Sequence, residues 1–104
     1  MMPPNFIDMF RACAASCENC AEIAMLDGNE YCSLICQDCA DLFNVNVKLQ
    51  GRHSPFNMEM SQLCARVALA CAEECRRLAL ENDPYAANAD ACERCASELL
   101  AMSN

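Results

Sequence analysis

One spacing, used twice, limits what this chain can fold into. C-x3-C-x2-C occurs as CAASCENC from Cys13 to Cys20 and as CSLICQDC from Cys32 to Cys39. An α-helix advances by about 100° per residue, so positions i, i+4 and i+7 fall within roughly 60° of one another. Cys13, Cys17 and Cys20 therefore form one column along a helix, and Cys32, Cys36 and Cys39 form a second. A strand would divide them, because offsets of four and seven differ in parity and point to opposite faces. The motif predicts helices that each carry a stripe of thiols.

The rest of the chain extends this pattern. Pro3 and Pro4 precede a helix expected from about Asn5 to Leu26, with Asn5 or Asp8 as its N-terminal cap. Asp27-Gly28-Asn29 reads as a turn, and a second helix is expected from about Glu30 to about Leu49, ended by Gly51. Ser54-Pro55 and Asp83-Pro84 each place a capping side chain before a proline suited to the first helical position. They predict a third helix reaching about Leu80 and a fourth reaching about Met102. Helix three repeats the stripe as Cys64, Cys71 and Cys75, with Ala68 in the vacant place. Helix four carries Cys92 and Cys95, continued by Leu99 and Met102. Loops this short join antiparallel neighbours. The expected fold is all-α: one domain over residues 1–104, an up-down-up-down four-helix bundle with a cysteine-lined core.

The opposite faces are polar, with Arg11, Glu18, Asn19 and Glu22 on helix one and Gln62, Arg66, Glu73 and Arg76 on helix three. Helix two departs from this rule. Tyr31, Leu34, Leu42, Val45 and Leu49 share its outer side with Asp38 and Asp41, which reads as a surface for self-association. The conventional core is thin, since Val, Ile, Leu and Phe number only 20 of 104 residues. Metal or a partner subunit is a common remedy.

Net charge is −8 with no basic run, which argues against a nucleic-acid surface. No apolar stretch approaches the ~20 residues needed to cross a bilayer. MMPPNFIDMFRACAA lacks a basic segment followed by an apolar one, so no signal peptide is read and a cytoplasmic location is expected. Structural disulfides are rare there, and 11 cysteines in a reducing compartment point to metal, or to thiols that do no chemistry at all.

Soft thiolates select Cu(I), Zn(II) or iron–sulfur clusters. One zinc ion on four thiolates leaves a net charge of −2, and the stripes carry no Lys or Arg to offset it. An iron–sulfur cluster relies on N–H donors that helix interiors do not spare. Cu(I) is monovalent, and bridging thiolates bring sulfur and metal toward equal numbers and the array toward neutrality. The i, i+4 pairs Cys13/Cys17, Cys32/Cys36 and Cys71/Cys75 suit a two-coordinate ion, and Cys17 and Cys36 are expected to face each other near mid-bundle. Met9, Met60 and Met102 extend the stripes toward one bundle end, where the loop carrying His53, the only histidine, also lies. Thioether and imidazole are weaker Cu(I) ligands than thiolate, which suits a port.

A four-helix chain with C-x3-C-x2-C stripes resembles the bacterial cysteine-rich copper storage proteins, sometimes labelled ferredoxin-like, from about Phe6 to Met102. The resemblance implies many Cu(I) ions along the core, held by the eleven cysteines, and a homo-oligomer, dimer or tetramer. Met9, Met60, Met102 and His53 match more loosely. Ala24 and Ala68 at stripe positions depart from the richest members and lower the expected capacity. The expected function is storage or buffering of several Cu(I) ions without catalysis. The alternatives are a structural zinc or iron–sulfur protein with one defined site, and a helical interaction module whose thiols only pack.

Overall fold

The computed structural model describes residues 4–80 and 83–102. They form four helices: α1 (Pro4–Leu26), α2 (Glu30–Gly51), α3 (Asn57–Leu78) and α4 (Pro84–Met102). α1 begins ahead of Asn5 and Asp8, so neither residue caps it; proline itself suits a first helical position.

Two helix ends close in the same way. Gly28 adopts φ 79°, and the amides of Gly28 and Asn29 return to the carbonyls of Met25 and Ala24 at 3.1 and 2.8 Å. At the end of α2 the left-handed residue is His53 (φ 53°) rather than Gly51. The amides of His53 and Ser54 bond to the carbonyls of Gln50 and Leu49 at 3.2 and 3.0 Å. This 5→2 and 6→1 pair satisfies carbonyls that a helix end leaves free.

α3 starts later than Ser54-Pro55 suggests. The Ser54 hydroxyl accepts from the Phe56 amide at 3.1 Å and its carbonyl from the Asn57 amide at 3.2 Å. These bonds make a turn that redirects the chain before the helix begins. Asp83 does cap α4. Its carboxylate accepts from the Ala86 amide at 3.0 Å and the Leu80 amide at 2.9 Å. Those N–H donors hold its carboxyl below the usual range.

Each helix packs on its two neighbours in the cycle α1–α2–α3–α4–α1, while the diagonal helices meet through side chains in the core, as Cys20 does Cys75 and Asn88 does Cys36. The result is an elongated up-down-up-down bundle, 39 × 19 × 19 Å. Alanines flank the thiol stripes, and Ala14, Ala21, Ala40, Ala65, Ala72, Ala89 and Ala96 are buried. Their small size lets neighbouring helices approach closely, so the sulfurs of one helix reach those of the next. Phe10, Phe43 and Leu99 are the largest fully buried apolar side chains. Cysteine and alanine supply most of the remaining core.

Candidate metal centre

All eleven cysteines are buried and unbridged. None is more than 2% exposed, so every stripe inferred from spacing points inward. Eight of them close into two groups. Cys20, Cys32, Cys36 and Cys75 have their sulfurs within 4.8 Å of one another, as do Cys17, Cys39, Cys71 and Cys92. Each group draws on more than two helices and on residues far apart in sequence. In the first, Cys36 lies 3.9 Å from both Cys32 and Cys75, and Cys20 lies 3.9 Å from Cys75. In the second, Cys17 and Cys92 are 3.6 Å apart. The groups adjoin, for Cys36 and Cys71 are only 3.5 Å apart.

This grouping differs in part from the helical pairs. Cys32 and Cys36 stay together, whereas Cys71 and Cys75 belong to different groups. Cys17 and Cys36, expected to face each other, also fall in different groups, for antiparallel pairing across the short 27–29 turn brings Cys36 to Cys20, and Cys75 of α3 joins them. Cys13, Cys64 and Cys95 lie outside both. The Cys13 sulfur is 3.9 Å from that of Cys92, and the Cys95 thiol donates to the Met9 carbonyl at 3.9 Å.

Between the two groups sits a residue that sequence reasoning passed over. Asn88 is fully buried, and its amide touches both. Nδ2 donates toward Cys75 at 3.5 Å, Cys71 at 3.7 Å and Cys36 at 3.8 Å. Oδ1 accepts from the Ser16 hydroxyl at 2.8 Å, from Cys17 at 3.5 Å and from Cys92 at 3.9 Å. The signal was present: Asn88 precedes Cys92 by four residues and so occupies the stripe of α4.

Burial disfavours thiolate, and it pushes the Cys32 and Cys64 thiols up to about 12. Hydrogen bonding among neighbours works the other way at selected sulfurs. Cys17 is held low by bonds from Cys13 and the thiols around it, and Cys75 by bonds from Cys20 and Cys36. No Lys or Arg is buried among the described residues, so the core brings no cation of its own.

The bundle end with the methionines is organised differently. Met9 and Met102 are half-buried against the core, Met60 is half-buried, and His53 is exposed in the α2–α3 loop. His53 joins neither thiol group. Phe10, Phe43 and Leu99 are fully buried in the same half of the bundle, and the Cys95 thiol already reaches the Met9 carbonyl. Phe10 and Phe43 have their ring centres 5.6 Å apart. Gln50, Ser61 and Asn46 add a buried polar chain there: Gln50 Nε2 donates to the Ser61 hydroxyl at 3.2 Å, which donates to Asn46 Oδ1 at 3.3 Å.

Fold and centre together define a class: a four-helix bundle whose core is a continuous set of soft sulfur ligands. Comparison with known proteins narrows it. Residues 3–104 match the copper storage protein family, and the chain belongs to that family. It is similar to an uncharacterized cysteine-rich protein, YhjQ, of Bacillus subtilis (strain 168), at 32% identity over 97 residues, which is 93% of this chain and 88% of that protein. Among solved structures, Cu(I)-bound copper storage protein BsCsp3 superposes with a TM-score of 0.87 at 28% identity, covering 96% of each chain. Apo copper storage protein 3 from Bacillus subtilis gives 0.82 at 30% identity, covering 95% of this chain and 96% of that one.

Proposed function

We propose that this protein stores or buffers several Cu(I) ions inside the bundle, with the eleven cysteines as ligands. The observation that carries the proposal is the pair of adjoining four-thiol groups, in a core that holds no buried Lys or Arg among the described residues. One divalent ion on four thiolates would leave two negative charges in a dry core, a costly burial. Four monovalent ions on four bridging thiolates leave none. Likeness to a Cu(I)-bound copper storage protein supports the same choice of metal.

The role is binding rather than turnover. Its support is that the one histidine is exposed and that, among the described residues, neither thiol group includes a histidine or a carboxylate. Eleven free thiols suit a reducing compartment, in keeping with a cytoplasmic location. Cys13, Cys64 and Cys95 extend the store toward the methionine end. Met9, Met60, Met102 and His53 form the port, and the Cys95 thiol on the Met9 carbonyl is the point where it meets the store.

The protein acts as a homo-oligomer, dimer or tetramer, through α2. Tyr31, Leu34 and Val45 on its outer side are 65%, 58% and 39% exposed, whereas Leu42 and Leu49 are half-buried and leave a smaller patch than the five residues imply. Leu34→Glu with Val45→Lys then lowers the mass measured by sedimentation equilibrium; a wild-type chain that sediments as a monomer contradicts this part of the reading. The metal itself is tested by anaerobic purification from copper-supplemented cells. Copper in several-fold excess over zinc and iron is expected. A single zinc ion or one cluster per chain, or no metal with all thiols free, would contradict it.

A further inference from the structure

Ser16 and Asn88 stand outside the thiol set, yet one amide brings them into both four-thiol groups. The Ser16 hydroxyl, 2.8 Å from Asn88 Oδ1, is the strongest donor within reach of that amide, since thiols donate weakly. It draws the oxygen to its own side and turns the N–H edge to the other. The oxygen then faces Cys17 and Cys92, two members of one group. The N–H edge faces Cys36 and Cys75, two members of the other, and Cys71 alone crosses the division.

A metal-bound thiolate keeps much of its negative charge. An N–H directed at the sulfur stabilises that charge, while a carbonyl oxygen directed at it opposes it; groups behind the ligands tune a metal site in this way. We infer that Ser16, by orienting the Asn88 amide, makes the two groups unequal and fixes the order of filling: Cys20, Cys32, Cys36 and Cys75 take Cu(I) before Cys17, Cys39, Cys71 and Cys92. The inference rests on the Cu(I) reading above. Ser16 touches no cysteine sulfur in this network and acts through Asn88, so it is a positioning residue.

The test compares two variants that each disable one group through residues chosen to leave the amide in place. Cys39→Ser with Cys92→Ser keeps the Cys20 group intact, and a serine at 92 can still donate to Asn88. Cys20→Ser with Cys32→Ser keeps the Cys17 group, and neither residue touches Asn88. The affinity for the first Cu(I) is measured for each by anaerobic competition with a chromogenic chelator, with helicity checked by circular dichroism. The variant that retains the Cys20 group binds at least about tenfold more tightly, the scale expected of one charge-assisted hydrogen bond. Adding Ser16→Ala to both brings the two affinities within about threefold, and Ser16→Thr, which keeps the hydroxyl, restores the gap. A merely structural role would lower both affinities together and leave their ratio alone. Tight binding with a ratio near one in the parent variants, a ratio that survives Ser16→Ala, or one that Ser16→Thr fails to restore overturns the inference alone. Absence of Cu(I) binding in wild type and variants overturns the storage reading beneath it.

Discussion

At the residue scale burial makes several of the thiols weaker acids. An ordinary cysteine ionises near 8.5, whereas the folded chain holds Cys32 and Cys64 up to about 12. Between those values the native state retains protons that the unfolded chain has released, so stability declines as pH rises through that window. Cys17 and Cys75, held low, act with the opposite sign, but their contribution is already complete above the ordinary thiol value. Reduced, metal-free protein is therefore expected to unfold at a lower urea concentration at pH 10 than at pH 8. An equal midpoint at both values would mean that the thiols are not buried in neutral form. The same residues show what spacing reveals. Every cysteine faces inward as the 100° advance requires, because that property belongs to one helix at a time. Which sulfurs meet across helices depends on how the helices are set against one another, so spacing along single helices did not reveal that Cys36 groups with Cys20 and Cys75 rather than with Cys17. A lone asparagine suggests a solvent-facing side chain, and only the four-residue offset from Cys92 sets Asn88 on the inward stripe.

At the scale of the elements, the two ends of the bundle differ. One is tied shut: the Tyr85 hydroxyl donates to Asp27 at 2.7 Å, and Asn29 Nδ2 donates to that hydroxyl at 3.1 Å, linking the α1–α2 turn to the start of α4. The other carries Met9, Met60, Met102 and the exposed His53, with Phe10, Phe43 and Leu99 buried nearby. Replacing Met60 by Leu together with His53 by Ala is expected to slow Cu(I) uptake in stopped-flow mixing several-fold and to leave the final stoichiometry unchanged. Equal uptake rates would remove the methionine end as the port and turn attention to the Tyr85 end. Helix lengths and turns were legible because Gly28, Asp83 and Pro84 act locally, through positive φ and capping. The start of α3 was not, because the Ser54 side chain closes a turn rather than a helix. Nor was the left-handed residue after α2, since His53 takes a conformation more often given to glycine.

At the scale of the whole molecule, cysteine replaces the aliphatic residues that would ordinarily fill a bundle, and the core doubles as cargo space. Metal that binds only the folded chain must then raise its stability. The central claim is that this interior holds many ions rather than one, and counting them tests it most directly. Anaerobic titration of the fully reduced chain with Cu(I), against a competing chelator, reports how many ions are taken up before the chelator responds. With bridging thiolates, ligand counting gives roughly five to eleven Cu(I) per chain, and free thiols should disappear in step with uptake. Saturation at one copper or none, with the eleven thiols still free to react after denaturation, would contradict the account.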